Sequence, residues 1–211
     1  MKSIEGKSFT GEHPGEKGVT YNLGWKLNKF SNVEDYYEIQ LLCRLLSSGK
    51  NNISDKLIKL GSCGGFDILP INQPAILLSI DTENQNVENV KLAVNEFIND
   101  IFVNAIKPEE FDNIFDMIEM SQRKEGEEGF GRNINNRYVM LEKYDITDIH
   151  NIHNINVNKK IRERLSNPQY LKKRIEDLFI NNESSFEYLS FANPKFSQNL
   201  KQSLDEKVYS E

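Results

Sequence analysis

Val19-Thr20-Tyr21-Asn22-Leu23-Gly24-Trp25-Lys26-Leu27 alternates apolar and polar side chains, with Tyr21, Leu23, Trp25 and Leu27 on one face. A period of two marks a strand buried on one side only. The period then changes. Over Val33–Leu46, Tyr36, Ile39, Leu42, Cys43 and Leu46 recur at helical spacing, with Asn32 or Ser31 available as the cap. A one-sided strand that runs into an amphipathic helix belongs to a layered structure, in which the helix covers the apolar face of the sheet.

Further along, Ser54–Leu60 reads as a short helix closed by Gly61 in a left-handed conformation. Phe66–Leu69 and Ala75–Ile80 read as two strands, with Pro70 and Pro74 bracketing their connection. From Val87 the helical period returns, with Val90, Val94, Phe97, Ile98, Ile101 and Phe102 on one face. Pro108 followed by Glu109 and Glu110 is a helix start, and that helix continues through Phe111, Ile114, Phe115 and Ile118 towards Glu125. Gly126, Gly129 and Gly131 interrupt the pattern before another helical stretch at Ile134–Leu141. Ile161–Leu165 ends a further helix, and Pro168 opens one whose apolar face carries Leu171, Ile175, Leu178 and Phe179. Phe186–Phe191 fits a last strand, and Pro194 starts a closing helix.

Upstream, Met1–Gly18 is rich in Gly, Lys and Glu and has no hydrophobic period, which predicts a flexible leader over 1–18 and a single domain over 19–211. The element order predicts an α+β fold: a mainly antiparallel sheet with helices packed on one face.

Composition narrows the function classes. The chain has 211 residues, enough for one domain with a real core. A net charge of -6, with Lys and Arg scattered among acids, argues against nucleic-acid binding. No apolar run is long enough to cross a bilayer, and the N-terminus lacks a signal-peptide pattern. The two cysteines make neither a disulfide framework nor a zinc site. Cys43, inside an apolar helix face, is expected buried, and Cys63, in Gly61-Ser62-Cys63-Gly64-Gly65, more accessible.

No self-sufficient active site is legible. His13-Pro14-Gly15-Glu16-Lys17 imitates the H-x-x-E-H zinc motif, but Lys17 replaces the second imidazole and Pro-Gly breaks the helix that the motif needs. His150 and His153 share a helical spacing, with Asp145 or Asp148 the only nearby third ligand. Surface histidines in an Asn-rich connection are the competing reading for that pair. Gly61–Gly65 runs from helix to strand, the wrong order for a phosphate cradle. The expectation is no catalytic residue, no metal and no cofactor in this chain.

Ile106-Lys107-Pro108-Glu109-Glu110-Phe111, followed by Ile118-Glu119-Met120-Ser121-Gln122-Arg123-Lys124-Glu125 and the break at Gly129-Phe130-Gly131, resembles the pitrilysin (insulinase-type) zinc metallopeptidases, in their presequence protease and falcilysin branch. Tyr36–Leu46 with Leu45-Leu46-Ser47-Ser48-Gly49, then Leu57–Gly61, resembles the paired helices of that family's second domain. Tyr170–Asn182 and Phe186–Pro194 resemble its terminal helix, Asn-Asn turn and strand. The likeness spans Val19–Lys207, and Arg132–Tyr138 is more polar than the family pattern.

The resemblance implies one of four homologous domains that form a closed chamber around peptides. Zinc is expected in the parent's first domain, and a distal Arg and Tyr in its last. The chain alone is then inactive: a non-catalytic domain excised from a longer peptidase, or a truncated relative. Its partners are the other domains and, in the intact enzyme, peptide substrates. In insulin-degrading relatives a strand edge of this domain anchors the substrate, and the matching residues here are Gly61, Ser62, Cys63, Gly64, Gly65 and Phe66. Backbone pairing along an open edge holds extended peptides with little demand on their sequence, and glycines let the peptide approach. The alternative is that these glycines only cap the helix and turn the chain. Two other readings compete with the domain as a whole: a stand-alone inactive homologue acting as scaffold or assembly subunit, and a small peptide-binding module. Excision would leave an apolar helical patch exposed.

Overall fold

The computed structural model describes residues 7–48, 52–69, 73–104, 112–117, 120, 139, 142–146 and 155–208. The alternation at Val19 does make a strand: β2 spans Val19–Lys26, with Tyr21, Leu23 and Trp25 buried. Helix α1 spans Val33–Ser48. Its cap is Asn32, whose Oδ1 accepts the Asp35 backbone N–H at 2.8 Å, while Ser31 donates to the Asp35 carboxylate. Helix α2, Ile53–Ile58, is capped in the same way by Asn52, and Gly61 takes the expected left-handed φ of 67°. Strands β3 (Cys63–Leu69) and β4 (Ala75–Thr82) follow, then helix α3 (Val87–Asn104). After residues that the structure does not describe come α4 (Ile155–Leu165), α5 (Pro168–Ile175) and a π-helical turn, Glu176–Ile180. Strand β5 (Ser185–Asn193) and helix α6 (Phe196–Val208) close the chain.

Residues 7–14, expected within a flexible leader, instead form strand β1 (Lys7–Pro14). They pair in parallel with β5, Lys7 opposite Phe186 and Pro14 opposite Asn193. A strand on the outer edge of a sheet buries little, so it shows no hydrophobic period to read, and the backbone ladder to β5 supplies what side chains do not.

The sheet order is β1-β5-β2-β4-β3. Three of its four pairings are antiparallel, so the fold is α+β on a mixed, mainly antiparallel sheet. Register aligns the inward residues in rows: Phe66, Leu78 and Leu23 form one, and Ile68, Ile76 and Trp25 the next. Trp25, only 1% exposed, ties the layers together. Its ring stacks on Phe66 and meets Phe179 of the π-helical turn edge-on at 4.9 Å. Helix α3 adds Phe97 beside Phe66, and of its predicted face Val90, Val94, Phe97, Ile98 and Ile101 are buried while Phe102 is half-buried. On the opposite side of the sheet, the Phe186 ring lies over Gly24 and Tyr188 lies over Gly11, positions where a Cβ would collide with those rings. Most of the helix expected at Pro108–Glu125, the stretch at Ile134–Leu141 except Val139, and Gly129–Gly131 lie outside the described residues; residues 112–117 are helical.

Candidate functional site

Of the six residues matched to a peptide-anchoring edge, Cys63–Phe66 lie at one margin of the sheet, because among the described residues β3 pairs only with β4, and Gly61 and Ser62 lead into it. Ser62 begins the segment. Its N–H donates to Leu57 O, and its hydroxyl lies 2.7 Å from that of Thr82 in a buried pair. Cys63 exposes its thiol. At Gly64 a Cβ would fall 2.1 Å from the Ser79 carbonyl oxygen, so only glycine allows β3 to approach β4 this closely.

The free side of this edge is already bonded. Phe66 N–H donates to Ser47 Oγ at 2.7 Å, and the same hydroxyl reaches Phe66 O at 3.2 Å. Ser54 Oγ sits 2.8 Å from Ser47 O and 3.1 Å from Gly64 O. The last turn of α1 and the first of α2 thus act as a side-chain substitute for a neighbouring strand. An unpaired edge would need such cover to stay soluble. The other margin differs: among the described residues β1 pairs only with β5 and forms no hydrogen bond on its outer side.

A second polar constellation escaped the reading of the sequence. Glu38 on α1 is 1% exposed, yet it stands among Leu41, Leu42 and Leu45. Tyr170 Oη donates to one of its oxygens at 2.8 Å, and Arg174 Nε donates to the other, also at 2.8 Å. Arg164 approaches from α4 at 3.9 Å and pairs with Glu34 at 2.7 Å, where Lys160 joins it. A buried carboxylate is tolerable only with such partners. Burial, and then the bond to Glu38, push the Tyr170 hydroxyl up to about 12. The hydrogen bond from Lys160, helped by Arg164, holds Glu34 below the usual carboxylate range. The signal was present as a lone acid on the apolar face of α1, with Tyr170 and Arg174 one turn apart on α5.

This network forms part of the wall of a cleft of about 800 Å³ between the β2–α1 connection, the start of α1 and the end of α5. Tyr170 and Arg174 line it with Lys26, Asn28, Gln73 and Asn181.

The described residues do not fit a zinc site. His13 stands on β1, with Nδ1 3.0 Å from Ser190 Oγ, and no three His, Cys, Asp or Glu side chains converge among the described residues. His150, His153 and Asp148 lie outside them; Asp145 is described and pairs with Lys29. No described helix is long and apolar enough to cross a membrane. Cys43 is buried, as expected, and burial followed by the nearby Asp67 charge raises its thiol to about 12.

No family model matches the chain, and no curated protein sequence does. Solved structures do match. The first half of the periplasmic protease PqqL from Escherichia coli aligns with a TM-score of 0.68 at 13% identity, covering 90% of this chain and 43% of that one. A protease from Helicobacter pylori aligns at 0.65 and 14%, covering 87% and 43%. A peptidase M16 inactive domain from Pseudomonas fluorescens aligns at 0.54 and 12%, covering 89% and 44%. The chain therefore spans less than half the length of these structures, and its fold is that of the insulinase-like M16 peptidase domains.

Proposed function

We propose that this chain is a non-catalytic domain of a larger insulinase-like zinc metallopeptidase, related to the presequence protease branch and occupying the second-domain position. In that role it forms part of the wall of a peptide-degrading chamber. One observation carries the reading: the fold aligns over 90% of the chain with the PqqL first half while filling only 43% of it, which leaves room for one more unit of similar size. In the parent, zinc in the first domain would polarise the scissile carbonyl and activate water. This chain's part is to shape the chamber and hold substrate. Anchoring at Gly61–Phe66 fits the edge position of β3, but a peptide pairing there has to displace Ser47 and Ser54 from Phe66 and Gly64.

The test is zinc content and hydrolysis of an unstructured peptide by the purified chain. No zinc and no cleavage are expected, and stoichiometric zinc with chelator-sensitive cleavage overturns the reading. A second reading, an inactive homologue acting as scaffold or assembly subunit, draws support from the alignment to an inactive M16 domain. An H-x-x-E-H domain encoded in the same reading frame decides for the first, and a complete short reading frame for the second.

A further inference from the structure

The cleft beside α5 contains a guanidinium that is only half used. Arg174 Nε is held by Glu38 at 2.8 Å, which fixes the side chain, while the terminal nitrogens form no hydrogen bond among the described residues. Arg174 lines the cleft, so these donors are available to a ligand within it. A planar fork of free N–H groups matches a carboxylate bidentately. The side-chain amides of Asn28, Gln73 and Asn181 line the same cleft and are likewise unbonded among the described residues. Each offers one acceptor and two donors, the complement of a peptide group. Asp35, Asp177 and Glu183 share the lining with Lys26 and Lys29, so with Arg174 the cleft sets three anions against three cations. This balance of charge suits a ligand that carries a single carboxylate and an ammonium group rather than a polyanion. At about 800 Å³ the cleft lies within the size range of ligand sites.

We propose that this cleft binds the carboxyl-terminal end of a short peptide, its terminal carboxylate on the Arg174 guanidinium and its backbone on the amides of Gln73 and Asn181. The proposal rests on the peptide-handling role given above and adds to it a site at the opposite end of the sheet strands from Gly61–Phe66, with a chemistry other than edge pairing.

The experiment is an NMR titration of the full chain with the tetrapeptide Ala-Ser-Gly-Ala as free acid, and with its C-terminal amide. The free acid is expected to shift the resonances of Arg174 and Asn181 and to bind at least about tenfold more tightly than the amide, a factor worth about 1.4 kcal/mol. Arg174→Lys keeps a cation beside Glu38 and removes the fork, so the acid preference should collapse while the fold is retained. Gln73→Ala should weaken acid and amide alike. Equal binding of acid and amide, or a preference that survives Arg174→Lys, overturns the carboxylate assignment. Competition by millimolar inorganic phosphate equal to that by the peptide reduces the site to a general anion site and also overturns it. Shifts confined to β3, or no binding at millimolar peptide, sink the cleft proposal while leaving the chamber-domain reading to be judged by zinc and cleavage.

Discussion

Ser47 places one hydroxyl between the N–H and C=O of Phe66, so a single side chain does the work of a paired strand residue. Ser47→Ala leaves both groups without a partner at a part-buried edge, and should lower stability by about 1–2 kcal/mol in urea titration. The same variant tests anchoring: a peptide that adds to β3 no longer has to displace the serine, so its affinity should rise, and unchanged affinity argues against Gly61–Phe66 as the anchor. Glu38→Leu removes the acceptor shared by Tyr170 and Arg174. Both partners reach towards the open cleft, where water can take them, so the expected cost is about 1–3 kcal/mol rather than the larger penalty of a sealed ion pair. Cys43 carries a pH prediction. Its folded pKa, about 12, lies above the ordinary 9.0, so between those values the unfolded chain releases a proton that the native chain keeps. Stability is little affected below about pH 8 and falls as pH rises through the window, by about 1.4 kcal/mol at pH 10. Cys43→Ala should remove most of that slope, leaving the smaller share of groups such as Tyr170, whose hydroxyl is also raised, as read from denaturation midpoints at pH 8 and 10. It is this residue scale that the sequence hid most completely, because Ser47, Glu38 and Arg174 acquire their roles from partners 19 to 136 positions away.

At the scale of the element, each helix boundary tested by a cap follows from local chemistry. Asn32→Ala removes the acceptor for Asp35 N–H and should cost about 1 kcal/mol without altering the fold. Glycines in strands discriminate by what lies opposite. An added methyl at Gly24 meets the tip of the Phe186 ring, which can swing away, whereas at Gly64 it meets the backbone of β4 at 2.1 Å. Gly64→Ala should therefore cost about 3 kcal/mol and Gly24→Ala about 1 kcal/mol, measured as unfolding free energies; the reverse order would contradict the β3–β4 geometry. The helices and the central strands were legible because each presents an apolar face at its own period. β3 begins at Cys63, three residues before the expected Phe66, because Cys63-Gly64-Gly65 has no apolar side chain to mark it. β1 went unread for the same reason, with Phe9 its only large apolar residue and that 52% exposed.

For the whole molecule, the two sheet margins are unequal: one has its backbone bonded by serines from α1 and α2, and the other, β1, has no hydrogen bond on its outer side among the described residues. Hydrogen exchange should therefore protect β2 and β4 most and β1 least, with β3 nearer the centre than an edge strand normally stands. Equal protection of β1 and β4 would mean that the outer side of β1 is covered. Leu92 and Val103 are large apolar residues exposed on α3.

The sequence by itself determined the α+β class, the order of the central elements, the apolar faces of α1 and α3, and the lack of a readable zinc motif. All of these are properties of near neighbours along the chain, where period, caps and spacing act over a few residues. Only the tertiary structure decided that β1 joins the sheet, that the β3 edge is occupied, and that Glu38, Tyr170 and Arg174 meet beside a cleft. These depend on register and on contacts between distant segments, which no local period encodes.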